Sequence, residues 1–293
     1  MIRINCILFC SFLLLIPLSL MAQKRNKGLV GGNKKSQWFI GLKLGTNITH
    51  ATPLTLHSEF STTDVQHTES PTEYEKNYRP RGQNFGSLIG LTGTFAPHPN
   101  LLISLQPTYN NVKYGYTSAF TWTDETNPNN TITLNYEHEQ SLNYLETPLL
   151  VRYGFGRNKI KPYVQGGGFF GYLLNANKSV KTRGIDMASG GANEFEGGIQ
   201  TTTVTSLYIK SQIGMMGGGG LAFNFGGIML TASANYKKGF NNIVDTRERY
   251  QQARQLFGFG NVLDDVSLDS FEFSVTCMFP LKFLTKSFEP IIL

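Results

Sequence analysis

The stretch 131–155, TITLNYEHEQSLNYLETPLLVRYGF, restricts the possible folds more than any other part of the chain. It alternates apolar and polar residues with a period of two, which is the period of a β-strand. Ile132, Leu134, Tyr136, Leu142 and Tyr144 fall on one face, and Thr133, Asn135, Glu137, Glu139, Ser141 and Asn143 fall on the other. Past Tyr144 the apolar set changes phase: Leu145, Leu149, Val151 and Tyr153 now oppose Glu146 and Arg152. A one-residue slip of this kind is what a β-bulge produces, so a bulge is expected in this strand. Strands in soluble sheets usually run about 3–10 residues, and this one is much longer. It fits a tilted strand that crosses a bilayer in roughly 9–11 residues and continues beyond it.

The same period recurs along the chain. It predicts further strands at 38–45, 85–95, 101–120, 161–174, 204–225, 228–237 and 270–279. The third of the eight strands, 101–120, shows a second phase slip at Asn110 and Asn111, after which Val112, Tyr114 and Tyr116 are in register. Long polar connections at 50–83, 121–130, 177–203 and 241–266 alternate with short turns at 97–100, 156–159 and 226–227. An even strand number, with short turns at one rim and long loops at the other, is the pattern of an outer-membrane barrel. A soluble β-sandwich does not require that regularity. The expected fold is therefore all-β: an eight-stranded antiparallel transmembrane β-barrel with short periplasmic turns, long outer loops and both termini periplasmic. Trp38 suits an interfacial belt, and Tyr109, Tyr114, Tyr116, Tyr153, Tyr172 and Tyr236 suit aromatic girdles. In the last long loop, TRERYQQARQLF (246–257) consists of helix formers and predicts a short helix.

The N-terminus carries Arg3, an apolar run over 4–21 and then Ala22-Gln23, the form of a secretory signal peptide cut after Ala22. Residues 23–37 hold Lys24, Arg25, Lys27, Lys34 and Lys35 with no acid, and read as a solvated basic periplasmic tail. In an exported protein this tail is not a nucleic-acid arm, so no nucleic-acid partner is expected. The barrel then spans 38–284 and a short C-terminal tail 285–293. Cys6 and Cys10 lie in the signal, which leaves Cys277 as a small hydrophobe in an apolar strand phase, with no internal disulfide. A hydrophobic content of 40% is low for a helical membrane protein and suits strands that are apolar on one face only.

An eight-stranded barrel has an interior that side chains just fill, so it is not a pore by default. The phase turned away from lipid supplies a candidate polar cluster in the lumen: Lys43, Lys113, Glu146, Arg152, Lys210 and Glu272, with Gln165 beside them. Charges in so narrow a space are expected to pair, because an unpaired buried charge is costly. Catalysis would need a nucleophile and a base presented together. The one compact candidate is His138 with Glu137, Glu139 and Ser141, and His138 falls in the apolar, lipid-facing phase, away from its acidic neighbours. His50, His57 and His67 lie near Glu59, Asp64 and Glu69, but their spacings of 7 and 10 match no metal-ligand motif, so they read as solvated loop histidines. Gly217 to Gly220 lacks the Lys and helix of a phosphate loop and reads as strand curvature or close packing, as do Gly166 to Gly168. No catalytic residue, metal site or cofactor is expected.

Two segments carry a family resemblance. YLETPLLVRYGF (144–155) and KPYVQGGGFFGYLL (161–174) resemble the PorT-like outer-membrane β-barrel family of Bacteroidetes, and WFIGLKLGTNIT (38–49) is similar to that family's opening strand. The resemblance implies an eight-stranded outer-membrane barrel over 38–284 and, through the family's namesake, a link to type IX protein secretion. It carries over no catalytic residues. The expected role is a non-enzymatic accessory or interaction component of the envelope, with outer-membrane lipid and envelope or secretion-machinery proteins as partners. The alternatives are a loop-mediated adhesin or surface-binding barrel, and a lipid-modifying membrane enzyme.

Overall fold

Alternation of side chains over long, glycine-punctuated runs produces strands almost throughout. The computed structural model describes residues 37–57, 73–79, 84–156, 159–225, 227–249 and 262–281. The expected signal peptide, nearly all of the basic tail, the C-terminal tail and the group Glu59, Asp64, His67 and Glu69 lie outside these residues. Of the helix expected over 246–257, only 246–249 is described, and it forms turns.

Among the described residues there are twelve strands: β1 (Gln37–Thr55), β2 (Glu73–Tyr78), β3 (Phe85–His98), β4 (Leu101–Leu105), β5 (Thr108–Thr123), β6 (Thr131–Gly154), β7 (Ile160–Asp186), β8 (Asn193–Glu196), β9 (Gln200–Thr203), β10 (Ser211–Phe225), β11 (Ile228–Gly239) and β12 (Asp265–Pro280). β4 and β5 act as one strand interrupted at Pro107, which has no N–H to give to the ladder. The register against β6 is unchanged across that break: Leu105 faces Leu149 and Thr108 faces Glu146. The antiparallel order β1, β3, β4/β5, β6, β7, β10, β11, β12 returns to β1, so eight strands close a barrel. Gly167 shows how closely neighbouring strands approach, since a Cβ there would lie 1.9 Å from the Leu149 carbonyl oxygen.

Three strands continue well past the ring. β2 pairs with β5 above the end of β3, and β8 and β9 pair with the upper part of β7. The connections expected over 50–83 and 177–203 are thus partly strand, and β5 to β7 stand as a wall above the barrel. The strand expected over 204–225 starts later, at Ser211. Before it, Thr205–Leu207 form a 3₁₀ turn whose Leu207 is buried.

The phase change at Tyr144 has a different origin from the one expected. Pairing between β5 and β6 runs without a shift from Thr108–Glu146 to Thr123–Thr131, so there is no slip at Asn110 and Asn111. Along β6 every even-numbered residue from His138 to Gly154 is buried, again without a slip. The one register shift between β6 and β7 sets Asn143–Asn175 beside Tyr144–Leu173, which puts the extra residue, Leu174, on β7. What changes at Tyr144 is the surroundings. Below it the interior is polar and the exterior apolar; above it the interior gains an apolar core around buried polar groups such as Gln140, His138 and Lys178, and the outer face of the wall carries charges. Tyr114 and Tyr116 accordingly point inward and are not girdle residues, and His138 is buried inside instead of facing lipid. Tyr109, Tyr153 and Tyr172 are exposed on the outer face.

Candidate functional site

The lumen at membrane level is built by inward-pointing polar residues on every strand of the ring. Lys43 Nζ lies 2.6 Å from Glu272 Oε1, both side chains being 2% exposed, and also donates to Gln106 Oε1 at 3.1 Å. Lys237 pairs with Glu146 and sits 4.6 Å from the centroid of the Phe169 ring. Arg152 Nε donates to Gln165 Oε1 at 3.0 Å, and Gln165 Nε2 donates in turn to Asn235 Oδ1 at 2.6 Å. Asn47 Nδ2 donates to Asn110 Oδ1 at 2.8 Å just below the change of surroundings. These contacts supply the compensation that buried charge requires.

Of the six residues expected in the lumen, Lys43, Glu146, Arg152 and Glu272 are inside. Lys43 and Glu272 touch each other, and the other two are served by Lys237 and Gln165. Lys113 and Lys210 are not lumen residues. Because β5 does not slip, its odd-numbered residues above Asn110 face outward, and the Lys113 side chain is 39% exposed, 3.2 Å from Glu139 Oε1. Lys210 is exposed in the segment before β10. Lys237, absent from that expected set, was marked in the sequence by its alternation with Tyr236.

The outer face marks where lipid ends. Asn111, Asn143 and Asn175 lie on adjacent strands and form a ladder. Asn111 Nδ2 donates to Asn143 Oδ1 at 2.6 Å and to Ser141 Oγ at 2.9 Å, and Asn143 donates to Asn175. Below the ladder the exposed residues are apolar, among them Tyr109, Leu145, Leu149, Tyr172 and Leu174. Above it the outer face of the wall carries charges. Arg79 approaches Glu137 and Glu139 at 3.9 and 4.0 Å, Arg183 lies 3.5 Å from both Glu137 and Glu196, and Lys181 pairs with Glu196.

Above the polar band the interior is closed by an apolar cap. Val112, Tyr114, Tyr116, Leu142 and Tyr144 of the wall pack with Val204, Leu207, Tyr208, Ile243, Val244 and Leu268. The two folded-in segments are tied by Val204 N to Ala176 O at 2.8 Å, Ile209 N to Ile243 O at 2.8 Å and Ile243 N to Val266 O at 3.0 Å. The Tyr114 and Tyr208 hydroxyls are 2.8 Å apart, and Tyr208 donates to Gln140 Oε1 at 3.0 Å. At the rim Asp264 binds Lys76 at 2.7 Å and accepts from Tyr78 at 2.8 Å, while Arg249 contacts His57 at 2.7 Å and pairs with Asp265. Among the described residues no group of three or more His, Cys, Asp or Glu is placed to hold a metal ion.

His138 has no catalytic setting. Its ring stacks on Tyr116 with centroids 4.5 Å apart, and Nε2 is 2.9 Å from Ser118 Oγ, both residues being buried. Glu137, Glu139 and Ser141 are on the opposite face of β6. Burial first, and then the positive charges of Lys178, Lys76 and Arg79, hold the His138 pKa well below the usual 6.5. The imidazole is neutral in the fold and gains a proton on unfolding below pH 6.5, so its contribution is complete above that pH and is lost as pH falls. The cap is expected to lose about 1 kcal/mol between pH 6.5 and 5.5 from this one group, the slope steepening toward about 1.4 kcal/mol per pH unit at lower pH. Hydrogen exchange of cap amides across that range checks it, and His138→Gln should flatten the slope.

A family model for the outer membrane protein beta-barrel domain matches residues 21–245. Several solved structures are similar in fold. The outer membrane protein OprG of Pseudomonas aeruginosa aligns at 10% identity over 85% of this chain and 97% of its own, with a TM-score of 0.37. The N-terminal barrel domain of Pseudomonas aeruginosa OprF aligns at 10% identity over 84% of this chain and all of its own, with a TM-score of 0.30. Ail, the attachment invasion locus protein of Yersinia pestis, aligns at 9% identity over 83% and 99%, with a TM-score of 0.28. No curated protein sequence matches the chain significantly. With a closed eight-stranded ring, a lipid-facing apolar belt and a family match over most of its length, the chain belongs to the outer membrane protein beta-barrel domain family and resides in the outer membrane.

Proposed function

We propose that this barrel is a non-enzymatic, non-conducting interaction component of the cell envelope whose working surface is the wall and cap above the membrane. The observation that carries this reading is the apolar core formed by β5, β6, β7 and the inserted segments outside the bilayer. A simple anchor has no use for a second core there, and a channel would be obstructed by it. Buried apolar packing instead holds a surface rigid, and rigidity lowers the ordering cost of binding a partner. The link to type IX secretion rests on the resemblance of 144–155 and 161–174 alone. Removing the gene is expected to leave secreted cargo in the periplasm, and reversing Glu137, Glu139, Arg183 and Glu196 together should reproduce part of that defect. Normal cargo export in the deletion strain defeats the secretion link.

In planar bilayers the purified barrel should show no stepwise current, because ion pairs and the cap occupy its path. A steady single-channel conductance would overturn the non-conducting reading. One observation favours the adhesin alternative. Trp122 and Met187 expose 44% and 47% of their surface at the outer end of the wall. Exposed apolar side chains of this kind mark binding sites when they are contiguous. Loss of surface attachment on Trp122→Ala, with cargo export intact, would favour the adhesin.

A further inference from the structure

The periplasmic mouth of the barrel differs from the rest of the lumen. It is a recess that opens to solvent, with an empty space of about 700 Å³ when the open solvent at its mouth is included. Phe39, Leu102 and Met229 form apolar walls, and Lys161 and Arg152 bring two cations to the same recess. Arg152 is 4% exposed. Its Nε is used by Gln165, and its guanidinium is held 4.0 Å from the centroid of the Tyr163 ring. Its Nη1 is buried with no hydrogen-bond acceptor among the described residues. Lys43 and Lys237 each touch a carboxylate in the same lumen, whereas no described carboxylate lies within ion-pair distance of Arg152.

A buried guanidinium without an anion is costly, and its planar fork is matched by a carboxylate. Stacking on Tyr163 and the bond to Gln165 fix the fork before any ligand arrives, so little side-chain ordering is left to pay on binding. We infer that the periplasmic mouth binds a small organic anion whose carboxylate docks on Arg152 and whose apolar body lies against Phe39, Leu102 and Met229. Lys161 contributes long-range attraction at the rim. The ligand enters from the periplasmic side, since the cap closes the other end.

The test is calorimetric titration of 3-phenylpropionate into the purified full-length mature barrel in uncharged detergent. 3-Phenylpropionamide and inorganic phosphate serve as comparators. Saturable one-to-one binding is expected, at least tenfold weaker for the amide and for phosphate. Arg152→Gln should weaken it at least tenfold. Ala222→Trp fills the recess without touching the charge, and should do the same in a barrel that still shows its heat-dependent gel mobility. Absence of saturable binding overturns the inference. Equal binding of acid and amide also overturns it, as apolar partition alone. Equal or tighter binding of phosphate overturns the organic-anion site and leaves an inorganic-anion site.

Discussion

Replacing Lys43 with Met is expected to cost about 3–5 kcal/mol of stability, the usual penalty for leaving one partner of a buried ion pair uncompensated. Glu272 would be left inside a lumen where both side chains are 2% exposed and the pair distance is 2.6 Å. Gln106, now bonded to Lys43, can turn its amide N–H toward Glu272 but cannot replace the charge, because the amide is neutral. The double variant K43M/E272M should recover most of the loss, since two apolar side chains of similar volume remove both desolvation costs together. The measurement is the guanidinium midpoint of the barrel in lipid vesicles, read by its gel mobility without boiling. A single-variant cost below about 1 kcal/mol, the range of exposed pairs, would mean that the lumen is wet at this level.

The second large effect is expected in the cap. Leu142→Ala removes a fully buried side chain from a core that includes Tyr114, Tyr144, Leu173 and Leu207, and should cost about 2–5 kcal/mol. Leu149→Ala, three and a half turns of the pleat nearer the periplasm on the same strand, removes a side chain that is 53% exposed toward lipid and should cost far less. The loss in the Leu142 variant should be local. Proteolysis of the segments around Leu207 and Ile243 should accelerate, while the membrane ring keeps its gel mobility. If Leu149→Ala were the more damaging of the two, the assignment of inside and outside along β6 would be reversed.

That pair of leucines also shows how far the sequence alone can be read. Period two separates the faces of a strand but does not say which face is inside. At β1 and β12 the answer came from a familiar asymmetry. Leu42, Leu44, Phe273 and Val275 suit lipid, so Lys43 and Glu272 had to be within. On β6 that rule inverts at Tyr144, because the upper interior is sealed by side chains from residues 204–209 and 243–244, far away in sequence. An inversion of surroundings and a backbone slip leave the same trace in a string of letters. Lys113 was misplaced for this reason, and Tyr114, Tyr116 and His138 with it. Lys237 needed only its own strand's alternation, which was present. Arg152 was placed correctly by phase, but its lack of a carboxylate is a property of the closed ring and of no single segment.

The asparagine ladder fixes the depth of the barrel in the bilayer, and β7 continues above it from Asn175 to Asp186, roughly 36 Å along the strand at ~3.3 Å per residue. On the far side, β10 starts at Ser211 and β11 stops at Gly239, near the lipid boundary. The rim is therefore lopsided, and the molecule has a compass heading in the plane of the membrane. A neighbour resting on the tall side arrives from one azimuth only. Depth and heading together orient anything held by the wall relative to the bilayer.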